Sequence, residues 1–421
     1  KTISNCADEI DADCYVIGGF VRDYFLKKES KDIDIVVVGS GIEMAELVSK
    51  KLQKTSKIKI FKTYGTAMLK YSNYEIEFVG ARKESYTPTS RNPQVSEGTL
   101  EDDIKRRDFT INTLAISLNN KNYGKLLDYH NGLKDIDSKV IKTPLDPQIT
   151  FNDDPLRMLR AIRFASNLGF NIKEDMLDVI SNLNSRINII TKERIVEEIN
   201  RILLSSKPSY GFSLLEKTGL LKIILPEISA LKGIDEIEGQ THKDNFYHTL
   251  EVVDNISKET ENLWLRWSAL LHDIGKVPTK KFNTKIGWTF HGHEFEGSKM
   301  VYKIFKRLKM PLNEKMKYVQ KIVLMSSRPI VLAQKNITDS AVRRLIFDAG
   351  ETVDDLMTLC EADITTKNKE RFKKYRQNFK IVRNKIVEVE ERDNIRNFQP
   401  PISGKEIMEI FDLKPCKLIG K

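Results

Sequence analysis

The chain has 421 residues, with 69 basic against 59 acidic side chains and a formal net charge of +10. Its 40% hydrophobic and 30% charged content excludes wholesale disorder, and no run approaches the roughly 20 apolar residues that a membrane-spanning helix needs. Four cysteines (Cys6, Cys14, Cys360 and Cys416) without a CxxC pair argue against a zinc ribbon or a disulfide framework and fit a reducing cytoplasm.

Length predicts two to four domains, at one per roughly 150 residues. Residues 11–145 alternate strand-like and helix-like stretches. Cys14-Tyr15-Val16-Ile17 reads as a short buried strand, broken by Gly18-Gly19, and Val21–Lys27 as a short helix. Ile33–Val38 is a second strand, and Glu43–Leu52 a helix with Met44, Leu47, Val48 and Leu52 on one face. Ala67–Lys70 and Tyr74–Val79 look like paired strands. From about residue 150 the pattern turns helical, over Pro155–Phe164, Lys173–Leu183 and Lys192–Leu204. Further helices follow Gly233, with loops expected at Lys276-Val277-Pro278 and Asn283–His293 and a linker at Asn397–Gly404 before a small last helix. The start, Lys1-Thr2-Ile3, has neither an initiator Met nor an apolar signal-peptide stretch, so the natural chain is expected to begin upstream.

The strongest chemical signal is Gly18-Gly19-Phe20-Val21-Arg22-Asp23 followed by Lys31-Asp32-Ile33-Asp34. Residues i and i+2 of a strand share a face, so Asp32 and Asp34 aim together. Two acids held that close repel unless a cation sits between them, and an all-oxygen site favours magnesium. Magnesium in turn can bridge triphosphate oxygens. Glu77, on a later strand, is the candidate third carboxylate. Gly18-Gly19 before a helix lets the backbone approach a phosphate, and the basic excess suits a polyanionic partner.

Two further segments carry arginines. Arg106-Arg107-Asp108 and Asn112 pair fixed positive charge with groups able to bond ribose hydroxyls. In Asp153-Asp154-Pro155-Leu156-Arg157, Asp154 and Arg157 stand three apart at a helix start. A carboxylate that accepts beside a guanidinium that donates matches the donor–acceptor edge shared by cytosine and adenine. Guanine and uracil present the opposite order, so one Asp and one Arg suffice to choose C and A. Arg160 and Arg163 extend a basic ridge facing triphosphate or RNA.

These motifs resemble, in order and over nearly the whole chain, the class II nucleotidyltransferases of the polymerase-beta superfamily: bacterial CCA-adding enzymes and their poly(A) polymerase relatives. The resemblance implies a multidomain α+β fold. A polymerase-beta-like head (1–144) would be followed by an all-helical neck (145–232), an HD-type helical body (233–366) and a helical tail (367–421). It implies catalysis by Asp32, Asp34 and Glu77, with nucleotide held by Gly18, Gly19, Arg22, Asp23, Arg107, Asp108, Asn112, Asp154, Arg157, Arg160 and Arg163. Asp128–Asp135 resembles the family's flexible loop. Position 153 departs from the family's EDxxR motif, with Asp153 in place of Glu.

Thr191–Glu198 resembles the last neck motif, with Glu193 and Glu197 expected to buttress neck arginines. Downstream, an apolar helix ends in His272-Asp273-Ile274-Gly275-Lys276, between His248 and the pair His291 and His293. This pattern resembles the HD phosphohydrolases, whose ligand set would be His248, His272, Asp273 and Asp363 around a transition metal, with Lys276 meeting a substrate phosphate. Two readings stay open: a metal-dependent hydrolase, or an HD fold kept as an RNA-binding body without turnover. The implied partners are tRNA, CTP and ATP. Neither a membrane nor an obligate protein partner is implied. The expected reaction is template-independent CCA addition. A poly(A) polymerase, a CC- or A-only enzyme, and an HD phosphohydrolase are the alternatives.

Overall fold

The computed structural model describes residues 1–52, 57–62, 65–87, 90–237, 240–241, 244–334, 338–393 and 404–412. Its contacts divide the chain into two compact units, residues 1–232 with 304–310, and residues 233–303 with 311–421.

The first unit opens with α1 (Thr2–Glu9), β1 (Cys14–Ile17), α2 (Gly19–Phe25), β2 (Asp32–Val37), α3 (Gly41–Lys51) and β3 (Lys57–Phe61). It continues with β4 (Thr66–Tyr71), β5 (Tyr74–Gly80), β6 (Arg82–Thr87), β7 (Ser90–Glu97), α4 (Leu100–Lys105), β8 (Ala115–Ser117), β9 (Leu126–Leu127) and α5 (Gly132–Asp137). A seven-stranded sheet has the order β3-β4-β5-β2-β1-β8-β9. Only β2 and β5 run parallel; the other neighbours are antiparallel. That parallel pair places Asp32 opposite Glu75 and Asp34 opposite Glu77. Tyr15, Ile17, Val36, Leu100 and Ile104 form one core cluster, while α3 buries Met44, Ala45 and Val48. Burying Ile35, Val36 and Val37 anchors β2 at one end and leaves its Asp-bearing end partly exposed.

The rest of the unit comprises β10 (Val140–Ile141), α6 (Pro147–Asp153), α7 (Leu156–Leu168), β11 (Asn171–Ile172), α8 (Glu174–Leu183), α9 (Lys192–Leu203), α10 (Pro208–Lys217), α11 (Leu220–Ile224) and α12 (Pro226–Ser229). Leu156, Leu159, Ile162 and Phe164 of α7 are buried, as are Ile195, Ile199 and Ile202 of α9, against which it packs. Gly169, at φ 68°, caps α7.

The second unit holds β12 (Glu236–Ile237), β13 (Gln240–Thr241), α13 (Asn245–Glu259), α14 (Leu263–Leu271), α15 (Lys276–Thr279), β14 (Lys281–Asn283), β15 (Gly287–Thr289) and most of α16 (His293–Arg307). After these come α17 (Glu314–Met325), α18 (Arg328–Gln334), α19 (Asp339–Ala349), α20 (Val353–Ala362), α21 (Lys369–Asp393) and α22 (Gly404–Phe411). No helix among the described residues is long and apolar enough to cross a membrane.

Three expectations are corrected. Lys276–Thr279 is a short helix, because Pro278 sits in a first turn that needs no donor from it. Residues 281–289 form a β-hairpin with Phe282 opposite Trp288, instead of a loop. In the segment Asp128–Asp135, residues Gly132 to Asp135 open α5 and are not loop. Asp128 accepts from the Gly132 and Leu133 amides at 2.7 and 3.1 Å, and Thr110 donates to Asp135 at 2.6 Å. The linker expected at Asn397–Gly404, His242 and Cys416 lie outside the described residues, apart from Gly404 at the start of α22.

Candidate active site

The carboxylates stand where the strand pattern places them. Asp34 and Glu77 are direct neighbours on β2 and β5 and line a cleft of about 500 Å³ with Thr66, Arg82, Arg106 and Arg107. Burial raises the Asp34 pKa; Arg107 opposes this, and Asp32 and Asp103 reinforce it. Burial also raises Glu77, and the Asp34 charge adds to the rise. A set of carboxylate oxygens that resist ionising together suits a hard divalent cation, which would relieve both costs. Gly18 is the N-cap of α2 at φ 83°, and a Cβ there would lie 3.0 Å from an Arg107 nitrogen and 3.3 Å from Asp34. Only glycine fits this turn between the acids and the arginine.

The arginines are held by partners. Arg22 donates to Asn112 at 2.8 Å and to Asp23 at 2.9 Å, so Arg22, Asp23 and Asn112 form one chain of bonds behind the turn. Asn112 donates to Asp108 at 3.0 Å, and Arg160 donates to the same carboxylate at 2.7 Å. Asp108 is nearly fully buried, which alone would raise its pKa, but Arg160 and Asn112 outweigh burial and bring it down to about 2. Gly19 precedes this cluster in the first turn of α2.

Two acids missing from the expected set organise this cleft. Asp103, fully buried on α4, accepts from Nε and Nη2 of Arg107 at 3.1 and 3.0 Å and also pairs with Arg106. Its signal was present: Asp103 stands three and four residues before the arginine pair. Glu84 pairs with Arg82 at 2.9 Å and Arg106 at 3.1 Å, a contact that only the fold brings about.

A second cleft of about 380 Å³ is lined by Asp154, Arg157, Arg160 and Arg194, and it shares Arg82, Arg106 and Arg107 with the first. Asp154 is extended between α6 and α7 and accepts from the Leu156 amide at 3.1 Å. Arg157 donates to the Arg106 carbonyl at 2.6 Å and to the Thr150 carbonyl at 3.5 Å. These bonds fix the guanidinium plane and use two of its five donors. Arg194, read from the sequence only as part of a helix start, joins this cleft.

Two neck expectations are corrected. Arg163 does not reach either cleft. It donates to Glu198 at 2.5 Å, both side chains are buried, and its guanidinium lies 4.0 Å from the Phe164 ring centroid. Glu198 is therefore the buttress. Glu193 pairs instead with Lys309 at 3.1 Å, while Glu197 does pair with a neck arginine, Arg201, at 2.6 Å on the exposed face of α9.

In the second unit, His248 of α13, His272 and Asp273 after α14, and Asp363 at the end of α20 converge. His248 Nε2 lies 2.8 Å from Asp363 and 3.6 Å from Asp273; His272 Nε2 lies 3.3 Å from Asp273 and 3.7 Å from Asp363. The outer ring nitrogens are anchored: His248 Nδ1 to Thr365 at 3.0 Å and His272 Nδ1 to the Ala269 carbonyl at 2.8 Å. His272 Nε2 is buried and makes no hydrogen bond. An inward-facing orphan nitrogen among carboxylates, with the outer nitrogens oriented, fits a transition-metal ligand set. Lys276 pairs with Asp273 at 2.6 Å. His293 also reaches the centre, 3.7 Å from Asp273. Gly275 makes this approach possible: a Cβ there would lie 1.9 Å from the His293 carbonyl oxygen.

A carboxylate set on paired strands, opening onto an arginine-lined cleft, is the arrangement that nucleotidyl transfer requires, and the fold that carries it is a polymerase-beta-like nucleotidyltransferase. Residues 14–142 match the family "Poly A polymerase head domain", residues 169–232 the "Probable RNA and SrmB- binding site of polymerase A", and residues 245–394 the "HD domain". A "Multifunctional CCA protein" of Shewanella frigidimarina is 32% identical over 311 residues, 70% of either chain. An "A-adding tRNA nucleotidyltransferase" of Aquifex aeolicus is 30% identical over 372 residues, 81% of this chain but 44% of that one. A tRNA nucleotidyltransferase solved with a primer tRNA and an ATP analogue shares the fold, with a TM-score of 0.65 at 23% identity, covering 91% of this chain and 98% of that one. The chain belongs to the tRNA nucleotidyltransferase and poly(A) polymerase family.

Proposed function

We propose that this protein adds C, C and A to the 3′ end of tRNA from CTP and ATP. The observation that carries the proposal is that the carboxylate cleft and the Asp154–Arg157 cleft share Arg82, Arg106 and Arg107 in their linings. The tRNA 3′-hydroxyl attacks the α-phosphate, and pyrophosphate leaves. Asp32, Asp34 and Glu77 would hold magnesium, which when bound supplies positive charge to the attacking and leaving oxygens. Arg107, fixed by Asp103, meets the triphosphate; Arg22, with Asp23 and Asn112, holds the turn from behind, and Gly18 and Gly19 let the backbone approach the phosphates. Asp108 and Asn112 bond the ribose. Asp154 accepts from the base amino group, and the remaining Arg157 donors reach cytosine N3 or adenine N1.

In this reading residues 1–144 carry the chemistry, 145–232 choose the base, 233–366 form the HD body, and 367–421 grip the tRNA. Purified protein is incubated with tRNA ending at the discriminator base, magnesium, and each labelled nucleoside triphosphate singly and mixed. Three nucleotides added only when CTP and ATP are both present are expected. A ladder with ATP alone would make it a poly(A) polymerase, and one A added only to tRNA already ending in CC would make it A-adding.

A second activity is favoured by the unbonded His272 Nε2 at the His–Asp centre. There the chain would hydrolyse a phosphoester. Water oxygen bonds to phosphorus, the ester P–O bond breaks, and the departing oxygen takes a proton. His248, His272, Asp273 and Asp363 would hold a transition metal, which supplies a Lewis acid when bound.

A further inference from the structure

The outer strands of the seven-stranded sheet carry a surface that the nucleotide-binding arginines do not use. From β5 through β4 to β3, the register sets Glu77 beside Met68 and Met68 beside Lys59. Two residues along, it sets Val79 beside Thr66 and Thr66 beside Phe61. Phe61, Met68 and Val79 line the cleft that holds Asp34 and Glu77, so all three stand on the carboxylate face. Lys59 precedes Phe61 by two residues, so the strand period brings it to the same face. β3 is the edge strand of the sheet; Phe61 is 41% exposed there, and Lys59 is exposed as well. From Glu77 to β3 is two strand spacings, roughly 10 Å, which one ribose and its base can bridge. The arginines lie on the other side of the acids. α4, which carries Asp103, packs through Leu100 and Ile104 on Tyr15, Ile17 and Val36 of β1 and β2, and Arg107 stands against Gly18 at the end of β1.

We propose that Phe61 and Lys59 of β3 seat the terminal nucleotide of the RNA being extended, with Phe61 stacked on its base and Lys59 facing the phosphate behind it. The inference rests on the nucleotide-adding reading and assigns the acceptor side of that cleft. With the triphosphate held at Gly18 and Arg107, the acceptor must approach from the opposite side, because attacking and leaving oxygens lie roughly in line across the phosphorus. An aromatic ring beside a lysine is the pairing that holds single-stranded RNA: the ring takes a base and the ammonium its backbone. Stacking also suits an acceptor whose last base changes with each addition. Every base has a π-face, whereas a set of hydrogen bonds made to one base would be unmatched by the next.

The test compares two RNAs by fluorescence anisotropy with the full chain: tRNA ending at the discriminator base, and the same tRNA with that base removed to leave an abasic ribose. The parent is expected to bind the abasic RNA about tenfold more weakly. Phe61→Ala should weaken the intact tRNA by a similar factor and leave the abasic RNA within about twofold, so that the two losses do not add. Phe61→Trp should restore the parental affinity. In steady-state addition, Phe61→Ala should raise KM for tRNA about tenfold while KM for CTP stays within about twofold, a split that a general loss of structure does not produce. Lys59→Gln should flatten the dependence of log affinity on log salt by roughly 0.7, the share of one phosphate contact on a single strand. Losses that add, or an unchanged tRNA affinity in Phe61→Ala, would overturn the assignment, and an unchanged salt slope would remove Lys59 from it. If the parent adds nucleotides and Phe61→Ala alters neither tRNA affinity nor KM for tRNA, the seat alone falls. If the base-dependent affinity and its loss in Phe61→Ala are seen but no nucleotide is added, the seat stands and the nucleotide-adding reading falls.

Discussion

The two clefts concentrate charge by different means. In the first unit, carboxylates sit on adjacent strands and arginines approach from α4 and α7, so every acid has a guanidinium or another acid for a neighbour. In the second, imidazoles and carboxylates arrive from the ends and faces of three helices, and one inward nitrogen is left without a hydrogen bond. The strand site raises the proton affinity of its acids, because burial and like charge act together on Asp34 and Glu77. The helix site does the reverse to Asp273. Burial pushes its pKa up, but His272 and Lys276 outweigh that and hold the carboxylate well below its ordinary range. Like-charged oxygens call for a hard cation, whereas imidazoles beside an ionised carboxylate suit a softer one.

Five substitutions sharpen this contrast. The largest effect is expected at Asp34: Asp34→Ala should lower nucleotide incorporation ~10³-fold or more while leaving 4-nitrophenyl phosphate turnover unchanged. His272→Ala should do the opposite and release the bound transition metal, measured by elemental analysis. If Asp34→Ala kept full incorporation, the strand site would not be the transfer site. Next, Arg157→Ala should relax discrimination against GTP and UTP by roughly 10²-fold in kcat/KM, read from single-nucleotide addition, as a pair of mismatched donors and acceptors ceases to be penalised.

Arg163→Ala leaves Glu198 buried without its partner and should cost about 3 kcal/mol in denaturant unfolding of the first unit. Its KM for CTP should stay at the parental value; a large rise would return Arg163 to the nucleotide site. The smallest effect concerns Asp108, whose pKa is held at about 2 against an ordinary 3.8. A carboxylate that binds its proton more weakly when folded contributes stability above about pH 4 and loses it as pH falls toward 2. Asp108→Asn should therefore cost about 2 kcal/mol at pH 7, and the gap to the parent should close by about pH 2.

Legibility followed sequence distance. Asp32 and Asp34 share a face because strand geometry has a period of two, and Asp154, three residues before Arg157 at the entry to α7, lines the same cleft as that arginine. Both relations are local and can be read from spacing. The same local logic pointed to Asp103, three and four residues before Arg106 and Arg107, but an acidic helix turn on its own also reads as a solvated face.

Glu84 on Arg106 and Glu198 on Arg163 had to be found in space. The choice between Glu197 and Glu198 as buttress turned on about 100° of helix phase, which the packing of α7 on α9 decides. By itself the sequence determined which residue types meet within one strand or one helical turn: the paired acids, the Asp–Arg pair and the glycine turn. The tertiary structure alone decided which arginines face the clefts and which are locked in the core, and it set Arg82, Arg106 and Arg107 in the lining of both clefts. The reason is physical: dihedral geometry sets short-range neighbours, while long-range partners are set by how buried apolar faces bring distant segments together.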